Sequence, residues 1–390
     1  MSKTTTVRAP SMGTMMSVET LLHTVSTHAQ SQLRPLVAEI DCKGLYPTEY
    51  LHELGALGGF SAIGATELGG SDLGLSAQIR VLSAVGSECG ATAFMGWCQS
   101  ACAWYLRQSS NATVRAKYLP EILSGKQLAG TGMSNTVKHL AGIEKHLLQA
   151  QPTDGGYLVN GVLPWVSNLG ANHVFAATAQ LPDNTYVMFM AGGQTAGVTL
   201  KPCAEFCALE GTGTLNVRFD NVFIAHDEVL AEPNEFKDYI QRIKSGFILL
   251  QMGIGAGVIE GCLNVIRQSN IGAVAEVNAF LDDDEATLRA ELNDILAQTL
   301  PLADAVYAGA VTAEQRLQVL KLRLAASELA LRAAQSAALH AGAKGYQVRH
   351  AAQRRTREAM FVAIVTPAIK HLRKEIHLLE QTTNALEQAS

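Results

Sequence analysis

Apolar residues recur along this chain with two different periods, and the period changes twice. From Val18 onward, Leu21, Leu22, Val25, Leu33, Val37 and Ile40 fall at near-helical intervals, which predicts a first amphipathic helix. Pro47 opens a short helical run, TEYLHELGALGG, that Gly58-Gly59 stops. The stretch AIGATELGGSDLG, Ala62 to Gly74, holds four glycines and no period, so it is a loop. Helices are predicted from Ser76 to about Gln108 and from Asn111 to about Leu123. After Lys126 the pattern turns to short alternating or β-branched runs, HVFAATAQ, TYVMFMAG, GVTLKP and GTLNVRFDNVFIA, broken by Gly, Pro, Asn and Asp. This predicts a β-domain from Leu128 to Leu230. From Ser245 the helical period returns, with Phe247, Gln251, Ile254, Val258, Gly261 and Val265 on one face. Glycines 253, 255, 257 and 261 would each cost about 1 kcal/mol relative to Ala inside a helix, so another backbone or a ligand is expected to approach closely there. Long Ala- and Leu-rich helices complete the chain. The expected division is a tail over 1–17, an α-helical domain over 18–127, a β-domain over 128–238 and a helical bundle over 239–390.

Bulk composition narrows the function classes. With 390 residues, 48% of them hydrophobic and 17% charged, the chain is long enough for two or three domains with sizeable cores. The formal charge of -5 is spread out and no basic stripe appears, so nucleic acid is not an expected partner. No apolar run reaches about 18 residues and no signal-peptide pattern opens the chain, so a soluble cytoplasmic protein without a membrane partner is expected. Seven cysteines, an odd number scattered along the chain, speak against a disulfide framework. Cys98 and Cys102, like Cys203 and Cys207, have no nearby His to complete a zinc site, so buried free thiols are expected and no metal.

The stretch YLVNGVLPWVSN, Tyr157 to Asn168, is the most suggestive. Its Asn160-Gly161 pair is a two-residue hairpin signal, so a tight turn is predicted there. On the second arm, Trp165 and Ser167 are two apart and would share one face. An indole beside a hydroxyl donor suits a planar heteroaromatic ring. The plain alternative is a core Trp with Ser167 at a turn.

Several strings resemble the acyl-CoA dehydrogenase superfamily of flavoproteins. EIDCKGLYPTEYLHELGALG is similar to the family's opening helix, loop and "elGl" helix, and ATELGGSDLG to its "pe-x-x-GG-x-g" loop. KYLPEILSGKQLAGTGMS, Lys117 to Ser134, resembles the "kyLp-x-l-x-sGe" helix end leading into the "tEp" segment. YLVNGVLPWVSN resembles "y-x-lnG-x-K-x-wItn", and VRFDNVFIAHDEVL, Val217 to Leu230, resembles "FddVrVP-x-x-nvLg". HAGAKGYQ is similar to the "fGG-x-Gy" turn, and Arg357-Glu358-Ala359 stands where the family has "RDa". The correspondence runs in order from about residue 38 to 375.

The resemblance implies an α+β fold with an N-terminal α-helical domain, a central β-barrel-like domain and a C-terminal four-helix bundle. It implies FAD between the β-domain and the bundle, completed by a neighbouring subunit of a homodimer or homotetramer, and an acyl-CoA or related small-molecule substrate oxidised at a CH–CH bond. Trp165 and Ser167 would lie beside the isoalloxazine ring, and Thr131, Met133 and Ser134 would contact its pyrimidine side. Gly342 and Gly345 would let the backbone approach the pyrophosphate or adenosine half, against the alternative of an ordinary helix C-cap.

Departures from the family pattern bear on the chemistry. The dehydrogenases remove a substrate α-proton with a glutamate while hydride passes to the flavin. The usual position, seven residues after "RDa", is Thr366, and the alternative position on the first bundle helix falls near Phe247 and Ile248. "TEP-x-x-GSD" is replaced by TGMSNTVKHLAG, "R-x-FG" by IRQSNIGAVAE with Arg267, and the Gln before "fGG" by Leu339. Three readings follow. One is a dehydrogenase-type oxidoreductase with a non-standard base, for which Glu88, Glu144 and Glu210 are candidates, although a solvated or capping carboxylate is the more ordinary reading of each. Another is a flavin-dependent monooxygenase fed by a partner reductase, with Ser134 and His371 assisting oxygen chemistry, although His371 in KHLRKE also suits a polar helix face. The last is a non-catalytic ligand-binding protein on the same scaffold.

Overall fold

Serine 17 starts the first helix by accepting the Thr20 N–H on its hydroxyl, and α1 runs Val18–His28. A computed structural model describes residues 17–309 and 311–389, so the expected tail lies, except for Ser17, outside the described residues. The apolar period continues past α1, but Pro35 lacks an N–H and its ring crowds the preceding turn. The chain therefore passes through a π-turn and a 3-10 turn before α2, Val37–Lys43. One predicted helix is thus several linked pieces, with Leu21, Val25, Leu33 and Ile40 all buried. Next come α3, Thr48–Ala56, and α4, Gly74–Glu88, then α5, Gly90–Gln108, and α6, Ala112–Leu123, which Asn111 caps. The predicted helix from Ser76 to Gln108 is broken at Cys89, which is extended.

Eight strands follow: β1 Ala129–Thr131, β2 Leu148–Thr153, β3 Gly156–Val166, β4 Val174–Gln180, β5 Tyr186–Gly192, β6 Val198–Pro202, β7 Leu215–Ala225 and β8 Val229–Ala231. The sheet order is β6-β7-β3-β2-β4-β5-β8, with β1 parallel to β4. Phe219 of β7 meets Phe175 of β4 and Phe189 of β5 edge-to-face, at 6.0 and 6.1 Å between ring centres, although other strands separate them along the path. The sheet therefore wraps around its own apolar core. A short helix not foreseen from sequence, α7 Ser134–Leu140, leaves the sheet between β1 and β2.

The hairpin turn lies elsewhere than Asn160-Gly161. Strands β2 and β3 join at Asp154-Gly155, with Thr153 opposite Gly156, and β3 runs straight through Asn160 and Gly161. Asn160 serves the neighbouring strand instead, its Oδ1 accepting the Asn221 N–H at 2.8 Å. There, one residue of β3 opposes two of β7, between Val159/Val222 and Gly161/Phe219. Further on the imbalance is reversed, two residues of β3 between Leu163 and Val166 opposing one of β7. Gly161 is required at its position: its φ is +132°, and a Cβ would stand 2.3 Å from the Leu147 carbonyl oxygen.

The C-terminal helices are α8 Phe236–Ser269, α9 Ala273–Asn278, α10 Glu285–Tyr307, α11 Ala313–Gly345, α12 Ala351–Ile364 and α13 Ile369–Ala389. Helix α8 is long and apolar enough to cross a membrane, but 94% of its most apolar window is buried inside the protein. Two of its glycines have the cause expected from sequence, since a Cβ on Gly253 would lie 2.6 Å from the Ile79 carbonyl oxygen and one on Gly257 2.6 Å from Gly86 Cα of α4; Gly255 meets only ordinary contacts and Gly261 makes room for the Arg355 side chain. A buried charge cluster fixes α12 to the break between α4 and α5. Glu358 accepts the Gly90 N–H at 2.9 Å, while Arg355 donates to the carbonyls of Gly86, Ser87 and Glu88. Glu358 also binds Arg354 and Arg355, at 2.8 and 2.7 Å. Carboxylate and guanidinium thus cap the facing ends of two helices.

Candidate active site

The end of β3 is held by side chains from three directions. Ser167 bridges to Thr131 through the backbone, and its hydroxyl pairs with that of Thr214 at 2.7 Å. Asn168, in left-handed backbone, donates to the Ala129 carbonyl at 2.8 Å and accepts from Tyr46 at 2.6 Å. The Thr131 hydroxyl pairs with Tyr105 of α5 at 3.0 Å. Trp165 and Ser167 do not share a face as simple alternation predicts. Trp165 sits in the bulge with φ +57°, its residue 58% exposed and its indole edge-on to Phe206, whereas Ser167 is only 7% exposed. The extra residue in β3 breaks the two-residue period there. The indole is not a core Trp.

Three residues beyond Thr131, the Ser134 hydroxyl pairs with that of Thr366 at 2.9 Å. The Thr366 carbonyl accepts from Gln251 Nε2 at 2.8 Å, and Gln251 Oε1 accepts from Arg323 Nε at 2.9 Å. Arg323 is buried, its other acceptors being Ser327 and the Val362 carbonyl, and burial pushes its pKa down to about 10.

Alongside this hydroxyl bridge opens a cavity of 430 Å³. Met133 and Pro367, which adjoin Ser134 and Thr366 in sequence, are part of its wall. Phe247, Ile248, Ile243 and Phe236 of α8 make it mainly apolar. Glu375 is the one carboxylate among the lining residues. Its Oε1 meets His371 Nε2 and its Oε2 meets Lys244 Nζ, each at 2.9 Å. Burial alone raises a carboxyl pKa, but the His371 hydrogen bond and the Lys244 ammonium outweigh it and hold Glu375 at about 2. At the far end, Tyr186 donates to His139 Nε2 at 2.8 Å; that acceptor role follows because His139 Nδ1 faces the Glu144 carbonyl at 3.0 Å and must carry the proton. His146 lies edge-on to His139 and is pulled down to about 4, chiefly by burial.

The structure brings Thr131 and Ser167 together at the strand end that carries Trp165, and it pairs Ser134 with Thr366, whose neighbours Met133 and Pro367 line the cavity together with Phe247. Other candidates fall elsewhere. Glu88 is gripped by Nε and Nη2 of Arg34, at 2.9 and 2.6 Å, and is not among the lining residues. Glu144 binds Asn135 and Lys138, and Glu210 takes the Phe206 N–H. All three act as local caps or ion-pair partners. His371 is buried behind Glu375 rather than on a polar helix face, and it is not among the lining residues. Gly342 has φ +57° at a kink in α11 with open space where a Cβ would stand. Gly345 is small for a local reason, since its Cβ would lie 2.8 Å from Ala341 Cβ. Arg267 is engaged by Glu285 at 2.6 Å, and Leu339 is exposed. Sequence reasoning missed Lys244 and Glu375. The four-residue spacing of His371 and Glu375 was the only local hint, and it matches any solvated helix face.

The sequence profile of the acyl-CoA dehydrogenase N-terminal domain matches residues 17–126. Human mitochondrial short-chain specific acyl-CoA dehydrogenase is 24% identical over 382 residues, covering 92% of this chain and 89% of that protein. Residues 17–126 therefore carry the acyl-CoA dehydrogenase N-terminal domain, and the similarity to that superfamily runs along nearly the whole chain. A second superfamily relative, potato mitochondrial 2-methylacyl-CoA dehydrogenase, is 24% identical over 255 residues, and there the match spans only 60% of the relative's length. Among solved structures, butyryl-CoA dehydrogenase from Megasphaera elsdenii aligns with TM-score 0.83 at 18% identity, covering 95% of this chain and 97% of its own. Dibenzothiophene monooxygenase from Paenibacillus sp. A11-2 aligns with TM-score 0.78 at 17% identity, covering 92% and 96%. The superfamily fold, helical domain then sheet then helices, is therefore shared with a dehydrogenase and a monooxygenase alike.

Proposed function

We propose that this protein is a flavin-dependent oxidoreductase of acyl-CoA dehydrogenase type acting on a small substrate with a largely apolar body. The observation that supports this most is the 430 Å³ cavity whose wall includes Met133 and Pro367, the chain neighbours of the hydrogen-bonded Ser134–Thr366 pair. An exposed indole on the arm that carries Ser167, with Thr131 bridged to it, fits the ring half of FAD, because a hydroxyl has one donor and two acceptor sites and a single bond to a neighbouring hydroxyl leaves others for the ring edge. Trp165, Ser167, Thr131, Met133 and Ser134 would hold that half. Bound there, FAD supplies the hydride acceptor. The diphosphate half is less well served within this chain, since Arg267 is closed onto Glu285. A second subunit completing that half, in a homodimer or homotetramer, accounts for this.

Proton removal cannot follow the usual route. Thr366, hydrogen-bonded to Ser134, is an alcohol and no base near neutral pH, and Phe247 carries no proton acceptor. Glu375, held at about 2, is a weak base as long as Lys244 and His371 stay with it. The bareness of both base positions also favours a second reading, a flavin monooxygenase that needs no carboxylate base. Purified protein mixed with FAD, then gel-filtered, should keep a flavin absorbance band that a short-chain acyl-CoA bleaches without oxygen. A protein that stays colourless after this treatment would exclude both readings. Flavin that is inert to acyl-CoA, but consumes oxygen once a flavin reductase and NADH are added, would replace the first reading with the second.

A further inference from the structure

The wall that α8 presents to the cavity is graded along its length. Phe247, Ile248 and Ile243 form its deep part, Lys244 interrupts that stripe, and Gln241 and Lys237 stand towards the exposed N-terminal end. A cavity meant for hydrocarbon alone has no use for a carboxylate in its lining, because withdrawing an ionised carboxyl from water is costly unless a cation or several donors replace the solvent. Glu375 nevertheless stands there, with its side chain only 16% exposed.

Its two partners differ in kind. His371 is one turn earlier on the same helix and 3% exposed, so its hydrogen bond to Oε1 is part of the rigid frame. Lys244 reaches Oε2 from α8 on a flexible four-carbon stem, and its side chain is 40% exposed. It can swing its ammonium into water while its methylenes stay against the wall. Glu375 thus has one fixed partner and one exchangeable partner, and the exchangeable one is a primary ammonium. A replacement must itself be an N–H cation. A neutral head group would leave Oε2 without its charge partner, and an anionic one would be repelled and better met at the rim by Lys237.

We propose that Glu375 is the recognition point for a cationic amine carried by the substrate, for which the Lys244 ammonium is the interchangeable internal counterpart. The substrate class is then an amine-bearing acyl compound, its apolar body along Ile243, Phe247 and Ile248 and its ammonium on Glu375 Oε2. The acyl and redox parts of this statement rest on the proposed function; the amine preference does not need flavin.

The test is calorimetric titration of the full-length protein with hexylamine, hexanol and hexanoate near neutral pH, with flavin content recorded separately. Hexylamine should bind about tenfold or more tighter than hexanol, and hexanoate most weakly. Glu375→Gln should bring hexylamine to the level of hexanol, while Lys244→Met, which removes the internal competitor, should tighten hexylamine binding several-fold. Equal binding of hexylamine and hexanol by the unmodified protein would overturn the proposal, as would weaker hexylamine binding by Lys244→Met. If Glu375→Gln does not fold, Lys244→Met decides alone. A protein that retains no FAD but keeps the amine preference removes the flavin reading and leaves this inference intact. A yellow protein indifferent to amines does the opposite.

Discussion

Two carboxylates, Glu358 and Glu375, stand in similar company: each is largely buried, held by two nitrogen groups, and kept below the ordinary carboxyl range by them against the opposing effect of burial. They differ in what closes the cluster. Around Glu358 the remaining donors and acceptors are backbone groups at the ends of α4 and α5, and Gly261 lets the Arg355 guanidinium lie against α8, where a Cβ would come within 2.1 Å of its central carbon. Around Glu375 the remaining side is a cavity, and one partner has a route to water. Charge saturated by fixed backbone joins domains; charge with an exchangeable partner can select a ligand.

The contrast is most exposed to failure by removing each carboxylate. Glu358→Ala leaves two guanidinium groups buried without their anion and should lower stability by about 3–5 kcal/mol, read by urea denaturation. Were Glu375→Gln to cost as much, the two clusters would be the same kind of device. Acid provides the next largest effect. A carboxyl with folded pKa about 2 and unfolded pKa near 4.5 adds stability that is complete above 4.5 and is lost as pH falls toward 2, on the order of 2 kcal/mol for Glu375. That slope should be missing from Glu375→Gln. His146, neutral when folded until about pH 4, takes up its proton in the unfolded chain from about 6.5 downward, so it removes stability over that higher window. Melting temperatures measured across both windows, with His146→Gln as control, separate the two. The smallest effect on stability belongs to Trp165→Ala, within about 0.5 kcal/mol because the residue is mostly exposed. Its flavin content should fall all the same, and unchanged flavin content would take the indole out of the ring wall.

Much of the fold was legible because long helical and alternating periods leave a strong signal, as in α8 and β4. Local turn chemistry was less reliable. Asp154-Gly155 and Asn160-Gly161 both satisfy the hairpin rule, and only pairing with β2 and β7 decides that the first turns the chain while the second crosses a bulge. The hydroxyl wall was within reach because Thr131, Ser134 and Ser167 sit in short motifs. The pair Lys244–Glu375 was not, since 131 residues separate its members and each looks like an ordinary solvated charge. Glu88 misled for the converse reason: it stands out as a carboxylate in an apolar segment, but its side chain is taken up by Arg34.

The two irregularities in β3 and β7 cancel. One extra residue in β7 and one in β3 leave the pairing beyond Val166 in the same phase as before Val159, as opposed dislocations annihilate in a crystal. Losing a single residue near Pro164 would throw the following pairs out of step and reverse which side chains meet the core. Losing one residue from each strand, at Trp165 and at Asn221, would restore a regular ladder at the expense of the indole. The ladder's arithmetic therefore permits the Trp to project from an otherwise ordinary sheet only while its neighbour carries a matching surplus.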